Sequence, residues 1–242
     1  MRTPASVLAE MLRSDPARPR LTFYEDTAGP SRGERIELSG KVLANWVSKA
    51  GNALQDEFDL GPGSVVRLSL PPHWRALYWS FAVWAVGATV DLVGDRNPDL
   101  LICDDLDGVA ADVEPAPGDL VLITLAALAR AYPGPVPAGA MDEARELATY
   151  GDQFVALADP APDDLALITE GVHTPYRSVV PQRAWPAGTR VSLAGDLAQV
   201  LESALAAWAV DGSVVLARNG PRAGGEPQPD RLASERVTID LA

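Results

Sequence analysis

The residues best placed to do chemistry fall in one short run, Asp163-Asp164-Leu165-Ala166-Leu167-Ile168-Thr169-Glu170-Gly171-Val172-His173-Thr174-Pro175. An apolar segment here leads into two hydroxyls, a carboxylate, an imidazole and a glycine. A buried strand that opens into a small polar turn is how open α/β sheets place ligand-binding loops at strand carboxyl ends. Thr169, Glu170, Gly171, His173 and Thr174 are therefore the candidate ligand-binding residues. An ordinary strand and loop accounts for the same pattern. His173 alone is more often a loop or core histidine than a catalyst, so no catalytic residue is assigned.

Other motifs fail on context. Gly29-Pro30-Ser31-Arg32-Gly33 fits the G-x-S-x-G nucleophile pattern, but that motif needs a strained strand-to-helix turn and here sits in a polar loop between two short strands. Asp105, Asp107, Gly108 and Glu114 match part of a calcium loop, yet its first ligand position would be Cys103, a poor donor for a hard cation. Gly220-Pro221-Arg222-Ala223-Gly224-Gly225 is glycine-rich, with no Lys-Ser/Thr and no helix signal behind it. His73 and His173 form no HExxH-type pair, and Cys103 is the only cysteine, so neither a metal site nor an intrachain disulfide is expected. The two lysines are Lys41 and Lys49, so no later residue of this sequence supplies an amine for a phosphate clamp.

The 242 residues are 47% hydrophobic and 22% charged, and the net charge is −13. These are the proportions of a globular chain with a sizeable core. The negative charge opposes binding to nucleic acid or to an anionic membrane. The amino-terminal stretch carries Glu10 and Asp15 and has no apolar core of a signal peptide. The most apolar run, Leu77–Val90, is too short to span a bilayer. A cytoplasmic protein is expected.

The elements that must position the candidate residues alternate between helical and strand periods. Thr3 and Pro4 open a helix with Val7, Leu8, Met11 and Leu12 on one face. Leu21–Tyr24 and Arg35–Leu38 read as strands, and Ser39 caps a long amphipathic helix through Leu54. Val65–Leu70, a helix over Trp74–Val86 and Ala88–Val93 make a βαβ unit with parallel strands. Leu100–Cys103 and Leu120–Thr124 are buried strands, and Met141–Tyr150 reads as helical. After the Pro-rich stretch Asp159–Asp163 the pattern returns: strands at Leu165–Ile168, Arg190–Leu193 and Ser213–Ala217, with a helix over Gly195–Val210. Trp84-Ala85-Val86-Gly87-Ala88-Thr89-Val90 resembles Trp208-Ala209-Val210-Asp211-Gly212-Ser213-Val214, with one inserted residue expected when the strands are aligned. The expected fold is α/β with mainly parallel sheets, in a front lobe (1–158) and a back lobe (159–242) that are related or continuous.

At these segments the chain resembles the amino-terminal portion of the adenylate-forming (AMP-binding) enzymes, such as acyl-CoA synthetases. Leu21-Thr22-Phe23-Tyr24 and Ile36-Glu37-Leu38 are similar to the family's opening strands and helix start. Gly61-Pro62-Gly63-Ser64-Val65-Val66 and Leu70-Pro71-Pro72 resemble its Gly-Pro-Gly-Asp-x-Val and Leu-Pro-Asn segments, and Trp84–Val90 its Ala-Gly-Ala segment. Asp163–Thr169 resembles the strand that introduces its phosphate loop. Ala207–Leu216 and Arg231–Thr238 are similar to later segments. The chain is also similar to a small actinobacterial family of this length.

The resemblance implies ATP or AMP as cofactor and the run from Thr169 as phosphate loop. Within it, Glu170 replaces a Ser, Val172 and His173 replace two Thr, Thr174 replaces a Gly, and Tyr176-Arg177 replaces the Lys. A carboxylate there repels a triphosphate, and the lost hydroxyls and glycine remove donors and backbone freedom. Relative to those enzymes the resemblance implies a truncated chain, expected to lack the adenine motif, the ribose-binding Asp and the carboxy-terminal domain with its catalytic Lys. The expectation is a catalytically degenerate relative that binds a nucleotide or acyl ligand or a protein partner. The alternatives are a pure interaction or scaffold protein, or one half of a split acyl-adenylating enzyme.

Overall fold

The computed structural model describes residues 1–106, 120–218 and 229–242. The calcium-loop positions Asp107, Gly108 and Glu114 and the Gly220–Gly225 run lie outside the described residues. In chain order the elements begin with α1 (Pro4–Ser14), β1 (Pro19–Glu25), β2 (Arg35–Ser39), α2 (Gly40–Asp56), β3 (Val65–Ser69), α3 (Trp74–Ala85) and β4 (Thr89–Asp91). Then come β5 (Leu100–Cys103), β6 (Leu120–Leu122), β7 (Met141–Asp142), α4 (Glu143–Glu146) and a 3-10 turn at Leu147–Thr149. The remainder is β8 (Leu165–Thr169), β9 (Val172–Pro175), β10 (Arg190–Leu193), α5 (Leu197–Ala209), β11 (Ser213–Arg218), α6 (Pro229–Ser234) and β12 (Ile239–Leu241).

Helix starts follow their caps. Thr3 accepts from the Ser6 amide while Ser6 Oγ closes a capping box, and the Ser39 and Asp196 side chains accept from Val42 and Gln199. The sequence reading of Met141–Tyr150 as one helix is corrected. Met141 and Asp142 add a short parallel strand beside β6, and only one helical turn and the 3-10 turn follow.

Two sheets result, ordered β12-β10-β11-β1-β2 and β7-β6-β5-β3-β4-β8-β9. Every neighbouring pair is parallel except β1–β2 and β8–β9, the hairpins at one edge of each sheet. The sequence division at 158/159 does not coincide with the division between sheets: β8 and β9 join the strands of the front segment, while β10, β11 and β12 join β1 and β2.

The order β5-β3-β4-β8-β9 in one sheet repeats as β12-β10-β11-β1-β2 in the other. Val90 pairs with Val66 and Leu167, and Val214 with Val191 and Leu21. The Trp84 indole donates to the Ala166 carbonyl at 2.7 Å, one residue before Leu167. The Trp208 indole donates to the Arg20 carbonyl at 2.9 Å, one residue before Leu21. Both helices end in the same motif: Ala88 N–H donates to the Val83 carbonyl, and Gly212 N–H to the Ala207 carbonyl. The two seven-residue segments therefore align without the insertion expected from sequence. Gly87, at φ +85°, corresponds to Asp211, at φ +58°. Asp211 takes this left-handed position, which disfavours most side chains, and its carboxylate meets Arg20 at 2.7 Å and Arg18 at 3.4 Å.

The core lies between the repeats. Every residue from Trp74 to Trp84 is buried, because α3 packs on β3 and β4 on one side and on α1 and α2 on others. Phe81 stands edge-on to both Trp84 (5.6 Å between ring centroids) and Trp208 (5.2 Å), joining the two repeats through aromatic contact.

Candidate functional site

The candidate ligand-binding residues stand on the β8–β9 hairpin at the carboxyl end of the seven-stranded sheet. Ala166 and Ile168 are buried on β8, and Leu92 N–H donates to the Ile168 carbonyl at 3.0 Å. Thr169 pairs directly with Val172, so only Glu170 and Gly171 form the turn, and Gly171 takes φ +67°. What sequence reading treated as an open turn is a second strand, β9, tolerated at a sheet edge despite its proline. Glu170, Gly171, Val172 and His173 are exposed, Thr169 and Thr174 half-buried. His173 Nε2 lies 2.7 Å from Asp95 Oδ2 on the loop after β4. The hairpin thus brings all five candidates together, on a surface rather than around a hollow.

A hollow of about 380 Å³ lies where strand ends of both sheets converge. It is lined by Arg67, Ser69, Leu70 and Pro71 from β3 and its exit, Leu92 after β4, Asp104 and Asp105 after β5, Leu197 at the start of α5, and Arg218 ending β11. A crevice outside the carboxyl ends of parallel strands is where such sheets bind ligands. Arg67 is the anomaly in an otherwise apolar strand, Val65-Val66-Arg67-Leu68-Ser69. Its Nε and Nη1 are buried without a hydrogen-bond acceptor, and Nη1 lies 3.6 Å from Asp91. Asp91 is committed elsewhere: its two oxygens accept from the amides of Val93, Gly94 and Arg96 and fold the loop after β4. Burial lowers the Arg67 pKa, opposed by the Asp91 charge. Across the hollow, Arg218 donates to Glu25 at 2.9 Å.

Three further groups sit at these strand ends. His73 caps α3 by accepting from Arg75 N–H at Nδ1 (3.2 Å), so the neutral ring carries its proton on Nε2. Burial, then the charges of Arg75 and Arg218, hold its pKa well below the usual histidine range, and Phe23 packs edge-on at 4.4 Å. Burial raises the Asp104 carboxyl. Burial and the neighbouring Asp104 and Asp105 push the Cys103 thiol up to about 12, so it is no nucleophile at neutral pH. No group of three or more His, Cys, Asp and Glu able to hold a metal occurs among the described residues. No helix among them is long and apolar enough to cross a membrane.

The hairpin residues are adjacent in sequence, whereas those of the crevice are not. Arg67 and Arg218 come from strands far apart in the chain, and only the register of the two sheets brings them near one hollow. The available signal was a charge inside an apolar strand at Arg67 and another at the end of Ser213–Arg218.

The fold is that of the amino-terminal domain of acyl-CoA synthetases and adenylation domains. The chain superposes over 99% of its length on the N-terminal domain of FACL13 from Mycobacterium tuberculosis, with a TM-score of 0.72 and 14% identity, covering 62% of that chain. It superposes over 99% on an acyl-CoA synthetase of Brucella canis (TM-score 0.72, 18% identity, 47% of that chain) and over 98% on an acetoacetyl-CoA synthetase of Streptomyces lividans (0.76, 15%, 42%). It spans less than two thirds of each of these solved chains. No family model matches the sequence. It is 34% identical over 244 residues to a "TIGR03089 family protein" of Mycobacterium tuberculosis (strain ATCC 25618 / H37Rv), covering 96% of this chain and 95% of the relative. The chain belongs to that family.

Proposed function

We propose that this chain is a catalytically degenerate relative of the adenylate-forming enzymes that holds a small anionic ligand, a nucleotide or an acyl compound, in the crevice between the carboxyl ends of its two sheets. The observation that carries the reading is Arg67, whose buried nitrogens lack an acceptor beside a hollow that Arg218 also lines. An anion supplies the acceptors that a buried guanidinium requires. The closed two-residue turn at Glu170-Gly171 argues against triphosphate cradling, because a cradle needs several free backbone amides and here a carboxylate stands in their place.

Calorimetric titration with ATP, AMP and a non-hydrolysable acyl-adenylate analogue tests the reading. Micromolar binding of at least one is expected, weakened about 10-fold or more in Arg67→Ala, with Thr169→Ala and His173→Ala showing whether the hairpin contributes. No heat and no thermal shift from a folded protein would leave the resemblance as one of scaffold alone.

A partner-binding role has its own supporting observation. Asn52 donates to the carbonyls of Gly151 and Gln153, and Gln55 accepts from Leu157 N–H, pinning an extended strap along α2. The strap leaves Val155 and Leu157 82% and 85% exposed. A stable nucleotide-independent complex lost in a Val155→Ser/Leu157→Ser double variant would favour it.

A further inference from the structure

Beside β2 and the amino-terminal ends of β1, β10 and β11, arginines gather in a protein whose net charge is −13. Arg18, Arg35, Arg190 and Arg236 line a concavity of about 470 Å³ together with two carboxylates, Glu37 and Glu235. Glu235 is the fixed point of the cluster. It accepts from Tyr24, from Arg35 at 2.9 Å and from Arg190, while Arg35 also donates to Glu37 at 2.7 Å, so the two carboxylates together set the direction of both guanidinium groups. Arg190 is further held by Thr22 Oγ1 at 2.9 Å and Ser213 Oγ at 3.1 Å, yet its Nε has no acceptor. Arg18 is tied to the Gly188 carbonyl at 3.1 Å and loosely to Asp211 at 3.4 Å.

Arg236 has no hydrogen bond or ion pair from its side chain among the described residues. It is exposed and sits in the left-handed region at φ +53°, where Gly or Asn meets less strain. An arginine kept there, at the rim of a hollow already lined by three others, has a charge and five donors left to offer. Arginine forks suit the oxygens of a phosphate better than a point charge does.

We infer that this concavity is a second anion site, distinct from the carboxyl-end crevice, and that it takes a small phosphate monoester. The four arginines against two carboxylates leave the lining positive, as a dianion requires. The hollow has the volume of a pocket for a small metabolite. Arg35 and Arg190, prearranged by Glu235, form its floor, and Arg236 closes on the ligand from the rim.

Titration calorimetry of the full chain with inorganic phosphate and phenyl phosphate tests the site, alongside thermal denaturation in phosphate and in chloride at equal ionic strength. Saturable one-to-one binding is expected, with a higher melting temperature in phosphate than in chloride. Arg236→Ala is expected to weaken phosphate binding about 10- to 100-fold, the loss of a charge-assisted hydrogen bond. Its melting temperature in chloride should not change, because the exposed side chain makes no hydrogen bond or ion pair among the described residues. The component of phosphate binding that Arg236→Ala removes should persist in Arg67→Ala, in the other crevice, which separates this site from the proposed function. Absence of saturable heat, an equal shift in chloride, or unchanged affinity in both Arg236→Ala and Arg18→Ala would overturn the assignment.

Discussion

The two repeats each bind a carboxylate with a tyrosine and arginine, and the environments of the two clusters differ. In the seven-stranded half, Glu143 accepts from Tyr78 and from Arg75 at 2.6 Å, with all three side chains buried. In the five-stranded half, Glu235 accepts from Tyr24, Arg35 and Arg190, and Arg35 is 43% exposed. A tyrosine and one arginine on a buried carboxylate, and a tyrosine and two arginines on a half-open one, have opposite electrostatic consequences. Burial raises the Glu143 carboxyl, and Arg75 and Tyr78 oppose this without reversing it. Burial also acts to raise Glu235, but there the hydrogen bonds from Tyr24, Arg35 and Arg190 outweigh it and the carboxyl is lowered. A pair taken fully out of water loses more in desolvation than one at the surface. The buried cluster ties α3 to the segment around Ala126 and α4, and the half-open one holds arginines toward a solvent-facing hollow.

The largest expected contrast comes from breaking one arginine in each cluster. Arg75→Ala leaves Glu143 buried with an uncompensated charge and should cost about 3–5 kcal/mol of unfolding free energy in denaturant titration. Arg35→Ala removes a partner that water replaces and should cost less than about 1 kcal/mol. The comparison sharpens with Arg75→Met/Glu143→Leu, which removes both charges and should recover most of the loss. A double variant as unstable as Arg75→Ala would mean that the pair contributes positively to stability rather than avoiding a penalty.

The next test concerns what the halves share. Trp84→Phe and Trp208→Phe each delete one indole donor and leave a carbonyl, Ala166 or Arg20, without its partner. Each should lose about 1–3 kcal/mol, and by similar amounts, because the two indoles occupy the same place in the repeat. Unequal losses would show that the symmetry of the backbone does not extend to its energetics. Phe81 touches both tryptophans, so a double variant should deviate from additivity.

These equivalences were only partly legible in the sequence. The helix caps at Thr3 and Ser39, and the βαβ unit around α3, followed from local residue types acting over a few positions. The similarity of Trp84–Val90 to Trp208–Val214 was also visible, but its alignment was not. Nothing local says that Asp211 adopts the backbone of Gly87, because the arginines that hold its carboxylate come from β1 and the residue before it. β7 and β9 were missed because a two-residue strand has no period and a polar edge strand with a proline looks like a loop. The hairpin residues of the candidate site were readable as a group. The crevice beside them depends on sheet order, which no short window contains.

The smallest expected effect is the most specific one, because it depends on the sign of two pKa shifts. A carboxyl whose folded-state pKa is lowered contributes stability that is complete above its unfolded value and disappears as the pH falls through the folded one. Glu235 is of this kind. A carboxyl whose folded-state pKa is raised behaves oppositely: its contribution is complete below the unfolded value and is lost as the pH rises through the folded one. Glu143 is of this kind. Measured by urea unfolding across the acid range, the advantage of wild type over Glu235→Gln should therefore shrink toward low pH. The advantage over Glu143→Gln should grow toward low pH. The two slopes should therefore have opposite signs. Slopes of the same sign would show that the buried and half-open clusters are electrostatically alike, and that burial does not divide the two halves.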